Sequence, residues 1–358
     1  MAEDSQTFDQ YTQQVGFEKL TSIVSEEFNV AESLIEHNIP TYYLVQSQET
    51  KQAFLRLLQK LEMLNLMAFL RRSDTSVILR VVPKPDNKPS NVLVNWLLFL
   101  ATIGTTFATG YMLSIDLIDP LIGGVTFMVA IMVVLGTHEL GHMLSAKKEG
   151  MDATPPYFIP GPPPALGGIG TFGAVIMQKS LPPNKDALFD VGSSGPIVGF
   201  ILAAIVTAVG ATMAIPSSIP GEFGTLPTPL ISILIGRFLF SLGMIPSASS
   251  GQRLFMHPVE VAGWVGMIVT MLNLLPAAML DGGHIARSLA GEKTRIALTV
   301  FSILLLLVTD FWMMAIFVLF IATQKHPGPL DDVSDLSTSR KLMATLLVAV
   351  FLLCFPFF

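Results

Sequence analysis

His138-Glu139-Leu140-Gly141-His142 is the part of this chain whose residue types and spacing best suit chemistry. Two imidazoles four residues apart lie about one helical turn from each other, so both face the same way and can grip one metal ion. Glu139, beside the first histidine, is then placed to take a proton from water that the ion has made acidic. In a soluble chain the pentapeptide suggests a zinc hydrolase. Here it lies near the end of an apolar run that starts at Leu121 and otherwise reads as a membrane-spanning helix. Three ionisable side chains at bilayer depth are costly, which makes them functional candidates.

A catalytic zinc takes three protein ligands and keeps one position open. Cys354 is the one cysteine and sits in a terminal apolar run, so a thiolate zinc cluster and an intrachain disulfide are both excluded. The ligands must come from His, Asp or Glu. The candidate for the third is in Asn273-Leu274-Leu275-Pro276-Ala277-Ala278-Met279-Leu280-Asp281-Gly282-Gly283, where an apolar segment over 258–280 ends. The sidedness of the charges has this segment and the His138 helix run toward the same face, so Asp281 and the two histidines can share a site. Pro276 frees a backbone carbonyl, and Gly282-Gly283 lets the chain bend close to a metal. Asn273, about two turns before Asp281, carries an amide that could donate to the oxyanion of a tetrahedral intermediate. His284 adjoins this motif and reads as a solvated histidine or one beyond the ligands. His37, His257 and His326 read as helix-end or surface residues. Gly192-Ser193-Ser194-Gly195 reads as a close helix-packing face, not a serine nucleophile.

The elements that must position these groups belong to a membrane protein. Of 358 residues, 51% are hydrophobic and 13% charged, with a mean hydropathy of +0.60; soluble domains carry roughly a quarter charged residues. The net charge of -6 gives no reason to expect nucleic acid. The acidic, polar first ten residues lack the basic region of a cleaved signal peptide. Residues 1–90 differ from the rest. Glu18–Phe28 and Val30–His37 read as short helices, Thr41–Val45 as a strand, and Glu49–Leu64 as a helix with Phe54, Leu57, Leu58 and Leu61 on one face. Asn65–Arg72 and Thr75–Val82 read as a hairpin turning at Ser73-Asp74. This makes a small α/β soluble domain, closed by the Pro83–Pro89 linker.

Hydrophobic segments follow at about 91–113, 121–146, 190–214, 258–280, 295–309, 311–323 and 342–358. The first four are long enough to span; the pair interrupted at Thr309-Asp310 is either one bent element or two tilted ones. Pro229–Ile245 carries Arg237 and reads as re-entrant or surface-lying. The expected fold is thus an all-α polytopic membrane protein of about six to seven transmembrane helices, with a small N-terminal α/β domain. Residues 1–90 form the cytoplasmic domain and linker, 91–325 the core, and 326–358 a C-terminal linker and last helix. With the N-terminus cytoplasmic, Lys84, Lys88, Lys147, Lys148, Lys179, Lys185, Arg287, Lys293, Arg295, Lys325, Arg340 and Lys341 fall on the cytoplasmic side, and only Arg237 and Arg253 fall outside. The runs Tyr157–Ile159 and Thr171–Met177 flank a Pro/Gly loop and form a candidate re-entrant β-hairpin whose edge could pair with an unwound substrate.

Three features together resemble the site-2 protease family of intramembrane zinc metalloproteases: HELGH in one apolar helix, Gly192-Ser-Ser-Gly195-Pro196 opening the next, and N-x-x-P-x-x-x-x-D-G-G in a third. The resemblance covers roughly residues 91–325. It is closest to the archaeal and plant-plastid branch, through Pro155–Pro160, Gly170–Ile176 and Leu188–Gly192. It implies one Zn2+ per chain held by His138, His142 and Asp281, with Glu139 as general base and Asn273 as a transition-state contact. It also implies hydrolysis of a peptide bond in a single-span membrane-protein substrate within the lipid bilayer. Two other readings compete. An intramembrane metal-ion transporter needs ligands staggered through both leaflets, whereas these are confined to one depth. An inactive scaffold or chaperone would be expected to have lost a ligand or the glutamate. Substrate identity and oligomeric state are not encoded in any residue singled out.

Overall fold

The computed structural model describes residues 16–45, 48–73, 76–85, 91–218, 227–309, 311–323 and 326–357. The first ten residues, Asp74 of the expected hairpin turn, most of the Pro83–Pro89 linker, Asp310 and Lys325 lie outside the described residues. The chain divides into two compact units. One comprises Met1–Pro89, Leu181–Leu188 and Pro327–Ser337; the other comprises Ser90–Ser180, Phe189–His326 and Thr338–Phe358.

In the first unit α1 (Phe17–Ser25) and α2 (Lys51–Glu62) accompany β1 (Val30–Glu36), β2 (Ile39–Leu44), β3 (Leu66–Arg72) and β4 (Val77–Pro83). The strands form an antiparallel sheet of order β1-β2-β4-β3. Phe54, Leu57 and Leu61 lie on one face of α2, as their spacing requires, and are buried with Tyr42, Leu70 and Leu79. Val30–His37 is a strand, not a helix. His37 and Asn38 both take positive φ (49° and 66°), the two-residue turn that matches strand twist, so pairing with β2 overrides a weak local pattern. Two later segments complete this unit. Leu330 accepts from the Leu70 amide at 2.9 Å, and Asp331 bridges in parallel to both Leu70 and Asn184. Lys51 reaches Asp186 at 3.0 Å.

The second unit is mostly helical: α3 (Val92–Ser114), α4 (Pro120–Lys148), α5 (Lys185–Thr212, its first turn counted with the other unit), α6 (Leu230–Ser241), α7 (Pro258–Leu274), α8 (Asp281–Leu307), α9 (Trp312–Ala322) and α10 (Thr338–Cys354). Among the described residues α3, α4 and α5 are long and apolar enough to cross a membrane; α6, α7 and α9 are shorter apolar helices. The 258–280 segment is helical only to Leu274, 17 residues or about 25 Å. Pro276 disfavours helix at the residue before it, so α7 ends there. Residues 295–323 form two helices, α8 and α9, on either side of Asp310.

Between α4 and α5, β5 (Tyr157–Pro160) pairs antiparallel with β6 (Thr171–Val175). A polar stripe on α3 anchors this hairpin. The Asn95 amide donates to Pro155 O and Pro156 O at 3.2 and 3.3 Å, and the Thr105 hydroxyl donates to Gly170 O at 2.7 Å. Gly170 has φ 81°, and a Cβ there would lie 2.5 Å from Thr109 Oγ1 and 2.7 Å from Thr105 O, so both conformation and space demand glycine.

Candidate metal centre

His138 and His142 occupy successive turns of α4, as the spacing predicts, and are 3% and 6% exposed. Asp281 comes to them as the first residue of α8, across the six-residue turn Leu275–Leu280; it does not end α7. Its Oδ2 lies 3.3 Å from His138 Nε2 and 3.2 Å from His142 Nε2, and the two Nε2 atoms are 3.2 Å apart. The ring nitrogen on the far side of His142, Nδ1, is 2.7 Å from Val191 O. A carbonyl only accepts, so Nδ1 carries the proton and Nε2 presents a lone pair.

Three electron-pair donors therefore converge on one point, an arrangement that calls for positive charge between them. The edge of a tetrahedron with ligand bonds of about 2.0–2.1 Å is about 3.3–3.4 Å. The observed separations match that edge, and two imidazoles with a carboxylate form a donor set suited to Zn2+. The residues present fit the ion.

Glu139 forms a wider cluster with the same histidines, its carboxylate within 4.8 Å of their ring nitrogens. It points about 100° around the helix from His138. The tight trio therefore favours Asp281 over Glu139 as third donor and leaves Glu139 beside it. Asn273, in the last turn of α7, brings Nδ2 to 3.3 Å from His138 Nε2. The five residues expected at one site from the sequence are thus brought together.

Small residues on α5 make this convergence possible. A Cβ on Gly195 would overlap His142 Nε2, one on Gly199 would sit 2.7 Å from His138 Nδ1, and one on Gly192 would sit 3.0 Å from His284 Cβ. The expected packing face over Gly192–Gly195 is present. Gly199 and the Val191 carbonyl are the additions; the Gly195-x-x-x-Gly199 spacing is the signal for the first, and the second, a backbone group, has none. Gly282 and Gly283 act by space, not by a turn. A Cβ on Gly282 would overlap the carbonyls of Leu274 and Leu275, and one on Gly283 the carbonyl of Ala278. Among the other histidines, His257 caps α7 by accepting from Val259 N at 3.2 Å, in keeping with a helix-end residue. His326 is not a surface residue: it is buried, 2.8 Å from His284 Nδ1. Arg287 and Arg295 are also buried and do not act as solvated loop charges.

Comparison with known proteins adds an independent line. A sequence model of peptidase family M50 matches residues 126–315. Probable zinc metalloprotease EGY1, chloroplastic, of Oryza sativa subsp. japonica is 32% identical over 228 residues, covering 60% of this chain and 37% of its own length. Probable zinc metalloprotease EGY2, chloroplastic, of Arabidopsis thaliana is 32% identical over 235 residues, 63% of this chain and 40% of its own. Probable zinc metallopeptidase EGY3, chloroplastic, also of Arabidopsis thaliana, is 30% identical over 199 residues, 52% and 32%. The chain thus spans between about a third and two fifths of the length of these relatives. No solved structure matches it.

Proposed function

The chain belongs to peptidase family M50, and from that premise we propose that it is a zinc metallopeptidase cutting a peptide bond within or near a transmembrane segment of a membrane-protein substrate. The resemblance to the plant-plastid branch agrees with the names of the relatives. The observation that carries the reading is the convergence of His138, His142 and Asp281 at 3.2–3.3 Å, with two of the three on a helix long and apolar enough to cross a membrane.

In this reading His138, His142 and Asp281 hold one Zn2+. When bound, the ion acidifies water and polarises the scissile carbonyl. Glu139 takes the proton from the attacking water and passes it to the leaving amine. The Asn273 amide donates to the oxyanion as the carbonyl becomes tetrahedral, the moment at which such a donor contributes most. Val191 O keeps His142 in the one tautomer that can bind metal through Nε2.

A peptide bond in a transmembrane helix is shielded by its own hydrogen bonds, so the substrate must unwind locally. The β5–β6 hairpin, anchored on α3 by Asn95 and Thr105, supports a role in receiving it as an added strand. We read the hairpin as re-entrant. We read α7, the second half of α8, α9 and α10 as further crossings, giving seven in all. The charge pattern supports a cytoplasmic N-terminus and a site opening to that side. The test is co-expression of Glu139→Gln with a single-span candidate substrate. Cleavage should stop while zinc content holds at one per chain, and undiminished cleavage sinks the mechanism.

A further inference from the structure

Asp281 owes its position to a short turn, Leu275–Leu280, that a downstream part of the same chain holds. Ala278, at the middle of the turn, is 1% exposed and has φ 47°, a left-handed conformation that a residue with a Cβ adopts only at a cost. Both of its backbone polar groups are taken by side chains of α8. The Ala278 N–H donates to Thr299 Oγ1 at 3.0 Å, and the Thr299 hydroxyl in turn donates to Arg295 O at 2.8 Å. Arg295 Nη1 donates to Ala278 O at 3.1 Å. The Glu292 carboxylate grips the rest of the guanidinium, with Nε–Oε2 at 3.0 Å and Nη2–Oε1 at 2.7 Å. The same Ala278 carbonyl abuts Gly283, two residues past Asp281, where a Cβ would overlap it.

This contact is remote from what a straight helix would give. In an unbroken α8, residues 295 and 299 would lie about 21 and 27 Å along the axis from Asp281. They instead touch Ala278, three residues before it. Gly291 makes the difference: its φ of 76° and ψ of -177° break the helix in a conformation open essentially only to glycine. The segment after the break can then return to the turn that precedes α8.

Arg295 and Thr299 are 4% and 5% exposed. The Arg295 guanidinium is buried while its partner Glu292 is partly exposed, and such a pair adds little net stability because desolvating the cation offsets the attraction. What such a pair supplies here is direction. We propose that Arg295 and Thr299, backed by Glu292, are positioning residues that lock the Ala278 peptide and thereby hold Asp281 Oδ2 at the metal centre. The proposal rests on the reading of Asp281 as a metal ligand.

The test measures the zinc dissociation constant of the full chain in detergent by chelator competition, with kcat and KM on a cleaved reporter. Thr299→Val keeps the shape but removes the hydroxyl; it should weaken zinc binding about tenfold and lower kcat with KM unchanged. Thr299→Ser, which retains the hydroxyl, should restore both. Glu292→Gln acts from a side chain 41% exposed, which also lies 3.4 Å from Arg287 Nε, and it leaves the apolar packing in place. It should weaken zinc about threefold even where the valine variant does not fold. Asp281→Ala is the reference. If it loses zinc while Thr299→Val and Glu292→Gln bind as wild type, the clamp is wrong and the site stands. A Glu292→Gln affinity equal to wild type overturns the clamp if the valine variant is unfolded. If Asp281→Ala keeps full zinc affinity, the ligand reading fails, and the clamp with it.

Discussion

Gly199→Ala adds one methyl group to α5 and directs it at a metal ligand. The new Cβ would lie 2.7 Å from His138 Nδ1, against an ordinary separation of about 3.5 Å. Either the helix or the imidazole must therefore yield by roughly 0.8 Å, several times the ~0.2 Å spread a metal site tolerates. Overpacking costs about 1–3 kcal/mol, partly offset by the gain of about 1 kcal/mol when alanine replaces glycine in a helix. Fold stability should thus fall by no more than about 2 kcal/mol, whereas zinc affinity should fall about 10- to 100-fold, the usual cost of disturbing a ligand's support. Gly136→Ala is the control. It lies in the same helix as the histidines, but its Cβ would meet only Phe158 Cζ at 3.6 Å, an ordinary contact. Chelator competition and thermal unfolding of both purified variants separate the two effects. Wild-type zinc affinity in Gly199→Ala, or equal losses in both variants, would refute the packing argument.

Other expectations follow from the same structure. Asn273→Ala should lower kcat about 10²- to 10³-fold while leaving zinc content at one per chain, as metal analysis beside turnover can show. Thr105→Val removes the donor to Gly170 O. It should loosen the β5–β6 hairpin by about 1 kcal/mol, visible as faster hydrogen exchange over Thr171–Ile176. In the N-terminal unit Lys60 and Arg56 beside Glu27 hold its carboxyl below the usual range. A depressed folded pKa gives stability that is present above the unfolded value and lost as pH falls through the folded one. Glu27→Gln should therefore speed exchange in α1 and α2 at pH 7, by about 0.5–1 kcal/mol of protection. The difference from wild type should vanish at strongly acidic pH.

The placement of the site residues is legible in the sequence wherever it depends on local spacing. His138, Glu139 and His142 needed only helical periodicity, and Asp281 only the matching depth of a second apolar segment. What the residues alone obscured was set by backbone events. Apolar composition runs on through 275–280, yet the helix stops at Leu274 because Pro276 follows, so Asp281 opens a helix where it was expected to close one. Val30–His37 forms a strand because its partner and a two-residue turn decide the matter, which no short window reveals. Arg295 looks like any loop cation until the break at Gly291 turns it back onto Ala278. The Gly-x-x-x-Gly spacing of Gly195 and Gly199 was visible, but only contact geometry shows that the cleared space holds the two histidine rings.

Metal removal tests the central claim most directly. Stripping the purified protein with a chelator should abolish cleavage of a single-span reporter in liposomes, and one equivalent of Zn2+ should restore it. In Asp281→Ala the same addition should restore nothing. Cleavage that survives complete loss of zinc, or full restoration in Asp281→Ala, would contradict the account.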